Sequence, residues 1–197
     1  MIVMIDMGLG NLDSVRRAFR RVGVEVLVTG KPVPIRNAEA LILPGVGAFG
    51  DGMAGLHQRG LIDPILGHAV KKKPVLGICL GMQMLAESSD EYGLHEGLGL
   101  VPGRVTRLQA NGSECRVPNM GWCDVTFRSN RPPFNMFESE ETFYFAHSYH
   151  FSCADSADIA ATFEFSDQKI TAAIQRDNLF GMQFHPEKSQ DACFHIV

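Results

Sequence analysis

The apolar pattern of this chain changes character about half-way along. In the first half, short continuous apolar runs alternate with segments whose apolar residues recur every three to four positions. Residues 2–6 read as a strand, with Gly8 and Gly10 as the turn after it. Leu12, Val15, Phe19 and Val22 then share one face of a helix that Asn11 caps and Gly23 stops, while Arg16, Arg17, Arg20 and Arg21 form its solvated side. Residues 24–28, 40–43 and 75–78 read as three more strands. Leu61, Ile62, Ile65, Leu66, Ala69 and Val70 mark a helix between the last two. Such alternation implies a parallel sheet covered on both faces, since each crossover helix must lie on one face or the other.

After about residue 98 the runs are β-like and separated by turn residues: 104–108, 122–127, 143–151, 159–165, 170–175 and 179–184. Antiparallel hairpins extending the same sheet account for them. The expected fold is therefore three-layer α/β/α, with a mostly parallel central sheet prolonged by antiparallel strands. Residues 128–135, with Pro132 and Pro133, read as a loop, but composition does not shift across it and no internal repeat is present. A single domain over residues 1–197 is expected. At 45% hydrophobic content the chain can bury a sizeable core.

Charge narrows the function classes. A formal net charge of -4 leaves no basic excess for nucleic acid or anionic lipid. The N-terminal apolar run is too short for a signal segment, and no stretch approaches the ~20 apolar residues of a membrane helix, so a cytoplasmic location is expected. Five scattered cysteines without a C-x-x-C pair suggest reduced thiols rather than disulfides or a zinc site. No cofactor or metal is expected.

Three segments carry candidate chemistry. Gly77-Ile78-Cys79-Leu80-Gly81 ends an apolar strand, and the helix-competent residues 82–87 follow. This is the thiol counterpart of a G-x-S-x-G nucleophile elbow, where small flanking residues allow a tight strand-to-helix turn. A helix N-terminus and a nearby imidazolium would favour thiolate at Cys79, and the Leu80 N–H would face an oxyanion. The bland alternative is a cysteine buried as a small hydrophobe. Second, His185 and Glu187 follow the last strand. Two apart in extended chain, they lie on one side, where a bend at Pro186 would let the carboxylate orient the imidazole. A surface turn with incidental charges is the alternative. Third, Leu43-Pro44-Gly45-Val46-Gly47-Ala48-Phe49-Gly50 ends a strand in a glycine-rich turn. It lacks the Walker pattern, so a second oxyanion N–H from the Val46-Gly47 peptide fits better than a phosphate cradle or a plain loop.

These segments, with Ile5-Asp6-Met7-Gly8-Leu9-Gly10-Asn11, Val117-Pro118-Asn119-Met120-Gly121-Trp122, His147-Ser148-Tyr149 and Phe184-His185-Pro186-Glu187-Lys188-Ser189, resemble the triad-type (class I) glutamine amidotransferases over nearly the whole chain. Within that family the resemblance is strongest to the glutaminase subunits of imidazole glycerol phosphate synthases of histidine biosynthesis. It implies that Cys79 attacks the glutamine side-chain amide to form a thioester, with His185 as acid and base and Glu187 as its orienter. It also implies oxyanion contacts from Leu80, Val46 and Gly47, with a Val46-Gly47 peptide misaligned until the partner's ligand binds. Glutamine contacts are implied at Gly47, Gln83, Glu91, Ser148 and Tyr149. The implied partner is a (β/α)8-barrel cyclase in a heterodimer, receiving ammonia through an internal channel to make imidazole glycerol phosphate and AICAR.

The sequence departs from that family at Met7, usually tyrosine, at Asn119, usually histidine, and at Cys123, usually asparagine. The last two lie near the implied cyclase contact, so they bear on the pathway more than on the glutaminase chemistry. After Ser189 only eight residues remain where the family has a longer closing helix. Open alternatives are a paralogous glutaminase feeding a surface-sugar amidotransferase, a cysteine hydrolase acting on peptides, and a non-catalytic partner-binding module. His57, His68 and His95 read as surface or helix-face residues, and His147 as either site-lining or structural.

Overall fold

A computed structural model describes residues 1–111, 115–128, 132–137 and 140–188. Ser189, Cys193, the short closing segment and residues 129–131 of the expected loop lie outside the described residues. The first half contains β1 (Ile2–Ile5), α1 (Leu12–Arg21), β2 (Val26–Thr29), α2 (Pro32–Asn37), β3 (Ala40–Gly45), α3 (Phe49–Gln58), α4 (Ile62–Val70), β4 (Val75–Cys79) and the one-turn α5 (Leu80–Gln83). The Asn11 side chain accepts from the Ser14 N–H at the start of α1. Gly23 ends it at φ +80°, letting the Val24 N–H return to the Phe19 carbonyl. All four arginines of α1 are exposed, as its periodicity indicated.

Helices α2 and α3 were not read from the sequence. Helix α2 opens on Pro32, whose fixed φ suits a first turn. Helix α3 is hidden by its glycines, which are demanded by packing rather than by propensity: a Cβ on Gly55 would stand 2.4 Å from the Met7 carbonyl oxygen. The helix expected over residues 82–87 stops after one turn at Gln83. The carbonyls of Met84, Leu85, Ala86 and Glu87 are instead taken by the N–H groups of residues 97–101. His68, expected at the surface, is buried, with its Nε2 3.2 Å from the Pro74 carbonyl.

The second half contains β5 (Ser88–Ser89), β6 (His95–Glu96), β7 (Gly103–Arg107), β8 (Asn119–Phe127), β9 (Glu140–His147), β10 (Tyr149–Cys153), β11 (Ile159–Phe165), β12 (Gln168–Arg176) and β13 (Leu179–Met182). Among the described residues the main sheet has nine strands in the order β2-β1-β3-β4-β13-β12-β11-β8-β9. The first five run parallel and the rest are added antiparallel. Period-two alternation buries both faces of the parallel part. Val3, Ile5, Leu41 and Leu43 pack on the side of Ile35, Leu56 and Ile65 from α2, α3 and α4. Met4 and Ile42, one residue out of step, pack with Val15 and Phe19 of α1 on the other.

Not every late strand extends that sheet. Among the described residues, strands β10, β7, β5 and β6 form a second, four-stranded sheet. The run at 143–151, expected to be continuous, breaks at Ser148: β9 pairs with β8, whereas β10 pairs with β7. The Ser148 carbonyl accepts from the Leu108 N–H at the changeover. The loop expected around Pro132 is anchored where it is described. Phe134 is fully buried in a short 3-10 turn, its ring 6.1 Å from that of Phe127, and Gln175 Nε2 donates to the Pro132 carbonyl at 2.7 Å.

That anchor is testable. Phe134→Ala is expected to lower the unfolding free energy by about 3–5 kcal/mol, as for other buried aromatic truncations. Urea unfolding showing a loss under about 1 kcal/mol would mean that the site collapses around the deletion and that the segment is not held by its aromatic packing.

Candidate active site

Strand β4 turns into α5 at Cys79, which takes φ +53° and ψ -111°. A non-glycine residue there costs about 1–3 kcal/mol and persists only where its surroundings impose it. They do so by close approach. A Cβ on Gly77 would lie 2.6 Å from the Met82 backbone, and one on Gly81 would lie 1.6 Å from the Leu43 carbonyl oxygen. In register, Gly45 of β3 sits beside Cys79 and Met182 of β13 beside Ile78. The segments leaving these strands, Val46-Gly47 and Gln183 to His185, thus flank the thiol at the carboxyl edge of the parallel strands, where open α/β sheets bind ligands.

His185 is placed by its N–H, which donates to the Tyr144 carbonyl of β9 at 2.9 Å. Pro186 starts a 3-10 turn through Lys188, and this turn supplies the bend needed to bring the Glu187 carboxylate back. His185 Nδ1 is 2.9 Å from Glu187 Oε1, with both side chains at least 94% buried. The same imidazole hydrogen-bonds Cys79. Burial disfavours its charge, yet the hydrogen bonds to Cys79 and Glu187 and their negative charge outweigh that, and its pKa is pushed up to about 9. A group so placed can hold a proton taken from sulfur and return it to a leaving amine.

A cavity of about 380 Å³ opens over the thiol. Val46, Gly47, Cys79, Leu80, Gln83, Glu91, Ser148, Tyr149 and His185, all singled out in the sequence, line it, while Glu187 stands behind His185. Gly47 takes φ +112°, a value open to glycine at little cost. Two of the expected substrate contacts also hold the walls. Gln83 Nε2 donates to the Tyr149 carbonyl at 2.8 Å and to Gln183 Oε1 at 2.9 Å. Glu91 Oε2 accepts from the Phe49 N–H at 2.7 Å, at the start of α3, where a carboxylate also complements the helix dipole.

Two wall residues carry more than the sequence reading assigned. His147 lines the cavity and is structural as well: its Nδ1 is 2.8 Å from the Tyr149 carbonyl and its Nε2 3.4 Å from Asn119 Nδ2. Burial pushes its pKa down to about 4, so it is neutral at pH 7, donating from Nδ1 and accepting at Nε2. Gln183 was not singled out. It is fully buried, with Nε2 3.7 Å from Cys79 Sγ. A lone amide between Met182 and Phe184 was the available signal. The departures at Asn119 and Cys123 touch one another, with Asn119 Nδ2 3.7 Å from Cys123 Sγ. Met7 is buried against the end of β3 at Gly45.

A family model described as glutamine amidotransferase class-I matches residues 3–192. The chain belongs to the class-I glutamine amidotransferases. Among relatives of this amidotransferase, imidazole glycerol phosphate synthase subunit HisH of Syntrophotalea carbinolica is 44% identical over 201 residues, covering 100% of this chain and 97% of that one. The subunit of the same name from Sulfurimonas denitrificans is 46% identical over 200 residues, covering 100% and 95%. Among solved structures, PurLQS from Thermotoga maritima aligns with a TM-score of 0.73 at 23% identity over 98% of this chain and 90% of that one. The α/β architecture is thus shared well beyond the reach of sequence identity.

Two outcomes follow for the amidotransferase. Gly81→Ala is expected either to give no folded protein or to lower the unfolding free energy by more than about 4 kcal/mol, because the obstructing atom is backbone. Circular dichroism with urea titration reads it, and near-wild-type stability would mean that the elbow can open. The second concerns pH. The folded pKa of His185 lies above its ordinary 6.5, so its stabilisation is complete below about pH 6.5 and is lost as pH rises through about 9. Between those limits wild type should lose up to about 3 kcal/mol of unfolding free energy more than His185→Asn does. Parallel pH profiles for the two proteins would show that the imidazolium is not stabilised in the fold.

Proposed function

We propose that this chain is the glutaminase subunit of an imidazole glycerol phosphate synthase, one amidotransferase domain over residues 1–197 acting in cytoplasmic histidine biosynthesis. The observation that carries the reading is the gathering of Cys79, His185 and Glu187 at one cavity, in a chain alignable from end to end with subunits of that name. Among the described residues no helix is long and apolar enough to cross a membrane.

In the mechanism so proposed, His185 holds the proton taken from Cys79, as an imidazolium beside a thiolate, and the thiolate attacks the carboxamide carbon of glutamine. The C=O π bond breaks and the resulting oxyanion is held by the Leu80 N–H and by an N–H of the Val46-Gly47 peptide. The carbonyl re-forms as the C–N bond breaks, and the nitrogen takes the proton from His185 and leaves as ammonia. The thioester is then hydrolysed by a water that His185 deprotonates, releasing glutamate and restoring the thiol. Glu187 holds the imidazole tautomer and stabilises its charged form. Gly47, Gln83, Glu91, Ser148 and Tyr149 position the amino acid, Glu91 through charge attraction to its ammonium group.

Free ammonia is protonated in neutral water and is then no nucleophile, so a partner must cover the cavity. We assign that role to a (β/α)8-barrel cyclase. The rim supports a docked partner. Met120 and Trp122 are 66% and 50% exposed, Trp122 meets the Tyr144 ring edge-on, and Lys188 Nζ sits 5.2 Å from the Tyr144 ring centroid. Methionine and large aromatic side chains are what interface centres are enriched in. Docking that turned the Val46-Gly47 peptide into line would make glutamine hydrolysis conditional on the acceptor. The departure of Asn119 and Cys123, which touch beside this rim, from the residues usual in the family is the ground for one second reading, a paralogue serving a sugar-amidating partner.

Glutamate release from glutamine distinguishes these readings. The proposal expects release that Cys79→Ala abolishes and that rises at least tenfold when a histidine-pathway cyclase and its ribonucleotide ligand are added, about 1.4 kcal/mol or more of transition-state stabilisation. Cys79-dependent release indifferent to that cyclase would favour the sugar partner. No release from folded protein under either condition would remove the glutaminase reading.

A further inference from the structure

In the proposed reaction the Cys79 sulfur has one hydrogen-bonding partner, His185. The wall behind the thiol holds a second. Gln183 is fully buried and its Nε2 is 3.7 Å from Cys79 Sγ. It is carried there by the end of β13, and its backbone N–H is tied to the Ala172 carbonyl. The direction in which its amide points is dictated from outside. The Tyr149 carbonyl can only accept, so Gln83 must turn its NH2 group toward it. The second proton of that group meets Gln183, which must then present its oxygen. With Oε1 engaged, the Gln183 NH2 group faces sulfur.

We infer that Gln183 is a positioning residue for the reacting sulfur, donating to Cys79 Sγ in its thiolate form and oriented by Gln83 from the Tyr149 carbonyl. This rests on the glutaminase reading and deepens it. A donor aimed at sulfur favours the anion before attack. It does so again when the thioester is hydrolysed and the C–S electron pair returns to sulfur as the leaving group. The geometry also joins two parts of the site that are remote in sequence. Tyr149, one of the proposed glutamine contacts, and the nucleophile are connected through two buried amides, so displacement of the Tyr149 carbonyl changes what the sulfur meets. A passive wall would be cheaper to build from an apolar side chain of similar size, since two buried amides must otherwise be desolvated and fully paired.

The test is the pH dependence of Cys79 alkylation by iodoacetamide, followed by mass spectrometry of the Cys79 peptide so that the other cysteines do not contribute. Wild type is compared with Gln183→Met, which keeps length without a donor, and with isosteric Gln183→Glu, which replaces the donor by an anion. The alkylation rate at pH 7 should fall about tenfold in Gln183→Met, and further in Gln183→Glu, with wild-type rates recovered at strongly alkaline pH. Gln83→Met, which releases the orientation of Gln183, should fall part of the way and also raise KM for glutamine. Should Gln183→Met not fold, Gln183→Glu supplies the same reading. A pH profile unchanged from wild type in folded Gln183 variants would overturn the inference and leave Gln183 as packing. Failure of the underlying reading has a different signature: Cys79 alkylation in wild type indifferent to His185→Asn.

Discussion

The site depends on how closely the backbone of β4 and α5 approaches the strands beside it. The Leu43 carbonyl of β3 stands where a side chain on residue 81 would begin, and the Met82 backbone where one on residue 77 would. Close approach drives Cys79 into its unusual φ of +53°, which turns the chain within one residue from strand to helix and leaves the thiol above the sheet edge rather than within it. Strands β3 and β13 contribute the flanking groups because they are the two parallel neighbours of β4. Sheet order thus brings residues 46, 79 and 185 together, and no local property of those segments could do so.

Burial alone does not set protonation at this site. His147 and His185 are both nearly inaccessible, at 6% and 4% exposure, yet one is held neutral and the other charged. His147 faces a carbonyl and an amide, which can share hydrogen bonds with a neutral ring but cannot repay the loss of hydration of a cation. His185 lies between a carboxylate and a thiol that both gain from its charge. The difference suits the tasks proposed for them: a proton carrier needs partners that change with it, and a wall needs one that does not.

How much of this was legible in the sequence depended on whether the cause was local. Helix α1 was, because Asn11, Gly23 and the spacing of Val15 and Phe19 act within a few turns. The elbow was, because its steric demand falls on Gly77 and Gly81 themselves. Helix α3 was not, since its glycines answer to Met7 and other residues distant in sequence. The break at Ser148 was also hidden: residues 143–151 read as one strand, and only the competing partners β8 and β7 divide it. That break puts Ser148 and Tyr149 at the cavity, so the sequence indicated the residues without the reason for their position. Gln183 was overlooked because an amide within an apolar strand declares itself only through the partners that satisfy it.

The unusual residues at the rim have a single physical interpretation. Asn119 and Cys123 are four apart on one strand, so they project on the same side of β8, where their side chains touch. Asn119 also lies opposite His147 in the β8–β9 ladder and reaches its Nε2. His147 in turn holds the Tyr149 carbonyl that Gln83 shares. Residues in contact do not vary independently in their energetic effect, so these two departures form one change, transmitted through His147 to the wall of the cavity. A rim built this way joins the surface that a partner would cover to the carbonyl that orients Gln83 and, beyond it, Gln183. The packing thus connects the rim, contact by contact, to the environment of sulfur.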